Sequence, residues 1–579
     1  MSIYRIAENG ESKFHIVNHK YCDETVRFAS SELQKYLLLS TGAIVPYFSD
    51  RCPPRGPEIR IGAFVRGETE WEKDVHPEGF VIKGDGENIT ITAKSSRGVL
   101  YGVYRFFEIF CNFRCFTKDV ENIDKFSVLD IDLTEIKEEP SFDFRDAYFR
   151  NAFDGDFCAK NRLNSSVADI SRAKGGRMKW FNFHHSFNDL VSDTLYFEKH
   201  PEYFSEIDGV RQKDSQLCLS NPDVLKIAEQ TLRRWIKENP ECKVFSVAQN
   251  DNHRRCTCPK CMEIEKQEGS PAGPIIHFVN KLADAIKEDY PDVLIHTFAY
   301  TYSLPAPKLV VARDNVIVRI CSLSCRFDKP FEILARENIG GEDAKFVNAI
   351  HEWKTHAKNL YVWDYAVNFR NYPQPFMHLD VLKENINFFF KNGVRGVLEQ
   401  GNFAYGGGCS GDDLKAYVIA RLLWDVNADV FDEVSRFCDS VYGESAGKVM
   451  KEYYALLNDV CQKAPLSIYQ FPDADYVDDV WVKRATKLLK KAKKLARRKR
   501  AKRRIEREEL SIRFLVLTRM ELSERGRNKK IQKFFEDLKS HGIMEIRERR
   551  PLKISKECLM NSRFAKDRTG EYLLYYIMQ

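Results

Sequence analysis

The sequence predicts an α/β protein: a (β/α)8 TIM-like barrel carrying a small N-terminal α/β domain and a helical C-terminal domain. Three observations predict it. Short apolar runs alternate with helical stretches between Pro140 and Asp429, a texture that argues for parallel strands joined by helices. Many of those runs end in polar or aromatic clusters, as barrel enzymes require where their loops build the active site. Finally, 579 residues with 43% hydrophobic and 30% charged side chains suit a multidomain globular chain. That balance excludes a disordered, fibrous or disulfide-stapled protein.

Residues 1–135 read as the N-terminal domain. Phe28, Ala29, Leu33, Tyr36 and Leu37 recur at helical spacing over Glu24–Leu39, and Gly42 ends the helix. Strands are expected at Glu58–Gly62, Gly79–Lys83 and Asn88–Ala93, the last with strict alternation. A second helix, Ser96–Phe110, starts at the capping candidates Ser95 and Ser96. No phosphate loop or dinucleotide fingerprint is present.

Residues 136–429 read as the barrel. The expected strands are Phe142–Phe149, Lys179–His185, Val244–Gln249, Leu294–Tyr300, Val316–Cys321, Leu360–Tyr365 and Gly393–Glu399, with helices such as Pro274–Glu288 and Asp380–Lys391 between them. Seven strands are plain and the eighth has no obvious segment, so an open doubly wound sheet is the competing architecture. Residues 430–579 are expected to be helical over Val430–Val460, Val482–Leu495 and Arg504–Leu522. From Lys529 onward a mixture of helix and strand is expected.

The chemistry-bearing residues lie at strand ends. Asp251 and Glu399 are flanked by amides (Asn250, Asn252, Gln400, Asn402), and Trp363, Asp364, Tyr365, Tyr300 and the pair His184-His185 end other strands. Paired carboxyls serve glycosidic cleavage, which needs a proton for the leaving oxygen and support for a cationic sugar ring. Amides bond sugar hydroxyls and aromatic rings stack on sugar faces. The competing reading makes these acids helix caps or partners of Arg255 and Arg395. Glu399 and Asp251 are the catalytic candidates, with His185, Asn250, Tyr300, Trp363, Asp364, Tyr365 and Asn402 as substrate-binding candidates.

Cys256, Cys258 and Cys261 form a C-x-C-x-x-C cluster with the spacing of a thiolate metal site. A structural zinc needs a fourth ligand, for which Cys218, Cys242 and His253 are candidates. Reduced packed cysteines or a redox-sensitive disulfide are the alternatives. Catalysis itself calls for no cofactor, since neither an HExxH motif nor a third histidine at ligand spacing is present.

The net charge of +6 conceals an asymmetry: Lys483–Arg507 holds 15 basic residues and one acid, so the remainder of the chain carries −8. Leu488, Leu489, Ala492, Leu495 and Ala496 give that segment an apolar stripe at helical spacing. A solvated helix face is therefore expected rather than a nucleic-acid partner. No run of 18 apolar residues exists and Met1–Arg5 opens no apolar leader, so a cytoplasmic address without membrane partner is expected. The partner expected is a carbohydrate substrate, and the oligomeric state is left open.

Several motifs resemble known families. Ser31-Glu32-Leu33-Gln34-Lys35-Tyr36-Leu37 with Thr41-Gly42-Ala43, and Glu78-Gly79-Phe80 with Arg97-Gly98-Val99-Leu100-Tyr101-Gly102-Val103, resemble the N-terminal domain of α-glucuronidases and hexosaminidases. The central part resembles glycoside hydrolase family 163. Its stretches are His200-Pro201-Glu202-Tyr203-Phe204, Gln216 to Pro222, Gln249-Asn250-Asp251 running into the cysteine cluster, Phe278-Val279-Asn280, Glu399-Gln400-Gly401-Asn402, and Leu414-Lys415-Ala416-Tyr417 with Leu422-Leu423-Trp424-Asp425. The resemblance spans about residues 3–525. It implies a (β/α)8 barrel between the two flanking domains and endo-β-N-acetylglucosaminidase activity on complex N-glycans.

The function expected is a glycoside hydrolase cleaving a β-linked N-acetylglucosamine, with Glu399 as general acid/base and Asp251 orienting the 2-acetamido group or stabilising the ring cation. The alternatives are an α-glucuronidase-like hydrolase, with Arg150 or Arg370 receiving the uronate carboxylate, and a non-catalytic carbohydrate-binding protein.

Overall fold

The computed structural model describes residues 2–67, 75–472 and 477–561. Its N-terminal part is a six-stranded mixed sheet in the spatial order Glu135–Glu138, Phe80–Gly84, Ile89–Thr92, Glu58–Ile61, His15–Asn18, Tyr47–Ser49. Two helices, Glu24–Thr41 and Ser96–Phe110, pack against each other beside it. Both are capped as their sequences require: Asp23 accepts from the Val26 amide, Gly42 closes the first helix in the left-handed region, and Ser95 accepts from the Gly98 amide.

The seven expected central strands are all present: β1 Phe144–Tyr148, β2 Trp180–Phe181, β3 Val244–Ser246, β4 Leu294–Ala299, β5 Val316–Cys321, β6 Asn359–Tyr365 and β7 Gly396–Gln400. They form one parallel sheet in the order β1-β7-β6-β5-β4-β3-β2. No eighth strand joins it among the described residues, and β1 and β2 are its two edges. The eight-stranded expectation is corrected to a seven-stranded curled sheet. The curl is visible in the side chains: Phe144 from one edge meets Trp180 from the other with ring centroids 5.3 Å apart.

Alternation along the strands decides which residues line the concave face. Phe144, Val244, Ile317, Tyr361 and Leu398 make a buried cluster there, with Trp180, Leu294 and Trp363 against it, so all seven strands contribute. Ile295, Val318, Ile320, Val362 and Val397 point the other way and join the main core under the helices.

The N-terminal part docks onto the sheet through buried charge. Glu78 receives hydrogen bonds from Arg97 and from Arg145 of β1, and although burial opposes ionisation, the two guanidiniums hold its pKa down at about 2. A side chain at Gly98 would bring a Cβ within 2.7 Å of the Gly79 carbonyl, which explains the paired glycines of those motifs. Glu108 is a second hub, ion-paired to Arg162 at 2.7 Å and to Arg421 at 3.0 Å.

After the sheet the chain is helical: Val430–Tyr442, Glu444–Cys461, Asp479–Leu495, Lys499–Arg519, Arg527–Ser540 and Leu552–Asn561. The expected basic stripe buries Leu489, Ala492 and Ala496. Strand was expected beyond Lys529, but among the described residues that region holds two helices and a single bridge between Glu545 and Pro551. Residues 562–579 lie outside the described part. Among the described residues no helix is long and apolar enough to cross a membrane.

Candidate active site

The carboxyl ends of β2 to β6 converge on a mouth lined by aromatic rings. Asp251, in the loop after β3, is its most accessible acid, with 69% of its side chain exposed. Tyr300, just past β4, donates its hydroxyl to Asp251 Oδ1 at 3.0 Å, and burial with the nearby carboxylate raises the phenol's pKa, keeping the proton on Tyr300. His185 stands on the other side, its Nε2 3.7 Å from the same oxygen. Because His185 Nδ1 lies 2.6 Å from the Gln249 carbonyl, Nδ1 must carry the proton. Burial lowers the imidazole's pKa, so the ring is neutral and Nε2 offers a lone pair.

Trp363 forms a wall of the mouth. Its indole N–H donates to Gln400 Oε1 at 2.7 Å, which fixes the ring plane, and its ring meets Phe183 at 5.4 Å and Phe298 at 6.0 Å. Tyr365 follows on the same strand face, nearly buried against Phe369. Beneath these rings lies Arg319 of β5, fully buried with its guanidinium 4.4 Å from the Trp180 ring centre and 4.6 Å from that of Phe183. It donates to His296 Nε2 at 3.1 Å and to the Phe183 carbonyl at 3.0 Å, and burial pushes its pKa down to about 9.

The expected site residues thus divide. Asp251, His185, Tyr300, Trp363 and Tyr365 gather at the mouth. Glu399 and Asp364 do not. With Leu398 on the concave face, Glu399 is forced to the opposite one, and the register pairs it with Asp364 of β6. Both are 0% exposed. Ser322 donates to Asp364 Oδ1, and the Glu399 and Asp364 carboxyls share a hydrogen bond. Burial, then the neighbouring carboxyl, raises Glu399 well above the carboxylate range, and burial raises Asp364 to about 7.

Asn250 is engaged by two neighbouring loops and Asn402 within its own. Asn250 donates to the Ser215 carbonyl at 2.8 Å and accepts from the Asn188 amide at 3.0 Å, and Asn402 accepts from the Ala404 amide at 3.0 Å. Cys256, Cys258 and Cys261 are buried beside the mouth, and Cys218 joins them. Cys242 and His253 are not in that group.

Glu548 was missed. The segment after Ser540 returns to the mouth: the Met544 amide donates to the Tyr405 carbonyl at 3.2 Å and the Tyr372 amide to the Ile546 carbonyl at 2.9 Å. Glu548 is half-buried, and its pKa is raised by burial and by the charge of Asp251, against the opposing pull of Arg549. Nothing local in the sequence marks it, since its role depends on a return from a distant helix. Arg319 was missed too, yet it is legible as one charge inside the apolar run Val316–Cys321.

Beside the mouth, where the Phe153 ring meets Tyr148 at 5.1 Å, a cavity of 700 Å³ is lined by Arg150, Arg503, Arg504, Arg507 and Tyr405. A cavity of 1040 Å³ lies at the opposite, amino-terminal ends of the strands, around Lys243, Asn359 and Arg395.

A family model described as a domain of unknown function, DUF4838, matches residues 115–455, and the glycosyl hydrolase family 67 N-terminus matches residues 7–106. No curated protein matches the chain. Among solved structures, a family GH115 4-O-methyl-α-glucuronidase with specificity for decorated arabinogalactans is 10% identical with a TM-score of 0.60, over 99% of this chain and 82% of that one. The GH20 β-N-acetylhexosaminidase from Streptomyces coelicolor A3(2) is 14% identical with a TM-score of 0.44, over 78% of this chain and 93% of that one. The first likeness establishes a glycoside hydrolase-like fold.

Proposed function

The chain belongs to the DUF4838 family, and from that premise and its fold we propose that it is a glycoside hydrolase cleaving a β-linked N-acetylglucosamine. The observation that carries this reading is the 3.0 Å hydrogen bond from Tyr300 to Asp251 at a mouth walled by Trp363. A 2-acetamido sugar supplies its own nucleophile when its amide oxygen is turned onto the anomeric carbon. Asp251 accepts the amide N–H, which aligns the group and offsets the positive charge that develops on it. Tyr300 fixes the carboxylate, and Trp363 stacks on the sugar face.

The leaving oxygen needs a proton. Glu548 suits that role better than Glu399, because it is half-buried rather than sealed and burial with the charge of Asp251 raises its pKa. His185 Nε2 accepts a sugar hydroxyl. Water then opens the cyclised intermediate, with Glu548 recovering its proton from that water.

The test is hydrolysis of aryl β-N-acetylglucosaminides and intact N-glycans, read by product mass, beside glucuronides and galactosides. Release of an N-acetylglucosamine-ended product supports the reading, and an internal cut supports the endo mode. Replacing N-acetyl by N-trifluoroacetyl weakens the amide nucleophile and should slow the reaction steeply. A rate indifferent to that change would sink the substrate-assisted step.

A second reading is favoured by one observation. Arg150 lines the 700 Å³ cavity beside four further arginines, set against four aspartates, with its guanidinium 5.0 Å from the Tyr405 ring centre. That suits an anionic sugar, as an α-glucuronidase-like hydrolase would require. Release of a uronic acid from the same panel would promote it.

A further inference from the structure

Cys218 lies in one loop beside the mouth, Cys256 in another, and Cys258 and Cys261 at the start of the helix that follows it, and all four are buried. One ligand atom from each lies within 4.8 Å of the others, the only such group of metal-ligating side chains among the described residues. Cys218 Sγ is 3.7 Å from Cys258 Sγ and 4.0 Å from Cys261 Sγ. Four sulfurs placed tetrahedrally about a zinc ion, at the usual bond length of about 2.3 Å, are separated by about 3.8 Å. No two of the four are joined as a disulfide.

The surroundings favour thiolates. Cys258 caps the helix Pro259–Glu268 and Cys261 lies in its first turn, where the helix dipole stabilises negative charge. The Glu206 amide donates to Cys256 Sγ at 3.3 Å, and Arg211 Nη1 is 3.8 Å from the same sulfur. We propose that these four cysteines bind one structural zinc ion. A closed set of four protein ligands leaves no open position for substrate, so the ion's role is architectural.

What it holds is the loop carrying Asp251. Gln216, two positions before Cys218, donates to the carbonyls of Asn250 and Asn252 at 2.8 and 2.9 Å, and accepts from the Asn250 amide at 2.8 Å. The loop from 251 to 255 is therefore tied at one end by Gln216 and at the other by Cys256. The cluster staples the two loops together where neither contributes a strand.

The experiment uses the full chain, purified without a histidine tag and dialysed against metal-free buffer, with metal content measured by mass spectrometry. One zinc per chain is expected. Replacement by cobalt(II) should give the thiolate-to-metal charge-transfer absorption of a tetrahedral sulfur site. Cys218→Ser, Cys256→Ser, Cys258→Ser and Cys261→Ser should each weaken zinc binding at least about tenfold, while Cys242→Ser should leave it unchanged. Metal-free protein that takes up neither zinc nor cobalt overturns the proposal, as does a resident iron or a disulfide between any two of the four. The cobalt spectrum of the unsubstituted protein decides the matter if the serine variants fail to fold.

Discussion

Asp364 and Glu399 occupy paired positions on adjacent parallel strands, and neither side chain has any surface in contact with solvent. Two carboxyls enclosed together cannot both ionise cheaply, so the pair keeps protons that either residue would lose in water.

That retention makes stability fall as pH rises. In the unfolded chain both groups ionise near pH 4, whereas in the folded chain Asp364 holds its proton to about 7 and Glu399 beyond. The native state binds more protons than the unfolded state from about pH 4 to above pH 7, so each step up costs stability. Asp364→Asn should leave the melting temperature unchanged at pH 4 and raise stability by on the order of 1–3 kcal/mol at pH 8. A variant that melts lower than wild type at pH 8 would refute the buried-pair account.

The two glutamates near the end of β7 and in the C-terminal segment should behave differently. Glu548→Gln should lower kcat by about 10²-fold or more, the usual cost of removing a general acid. A substrate with an acidic leaving group, which needs little protonation, should recover most of that loss. Glu399→Gln, which replaces a group already neutral in the fold, should change kcat by less than about tenfold. Reversal of this order, measured on one substrate, would return Glu399 to the chemistry.

At the mouth, Asp251→Asn should reduce turnover by about 10²-fold or more, while Tyr300→Phe, which removes the hydroxyl that fixes Asp251, should cost about tenfold. The two losses should not add in the double variant, because both act through the same carboxylate. Full additivity of the losses across wild type, the two single variants and the double variant would show that Tyr300 acts on its own.

Glu108 predicts acid sensitivity. Arg162, Arg421 and Arg114 hold its pKa far below the ordinary range against the opposing effect of burial, so it contributes stability above about pH 4 that is lost as pH falls below it. Glu108→Gln leaves the buried Arg162 guanidinium without its carboxylate partner and should destabilise the fold by about 3–5 kcal/mol at neutral pH. Denaturant unfolding at pH 7 measures it, and a change under about 1 kcal/mol would contradict the assignment of Glu108 as a hub.

What the sequence revealed and what it withheld have physical causes. The helix Ser96–Phe110 and the strand Val316–Cys321 were legible to the residue because caps and apolar periodicity are local properties. The strand carrying Glu399 was legible too, but its facing was not read. Leu398 and Glu399 are neighbours, and only knowledge of which enters the concave face decides whether the acid meets a ligand or the helical layer. Cys218 lies far from Cys256 along the chain, so spacing alone offered three candidates for a fourth ligand. Glu548 had no local signal at all, because its position depends on how helices pack several turns earlier.

The return of residues 544–548 to the strand ends has a consequence for the order of assembly. β1 leaves the ribosome long before Glu548, and the sheet's own core asks nothing of the last helices. A nascent chain, or one clipped by a protease after Ser540, would keep the strands and the aromatic mouth while lacking Glu548. If the proposed chemistry holds, such a product would bind carbohydrate without cleaving it, and activity would depend on residues 544–548 joining the folded sheet.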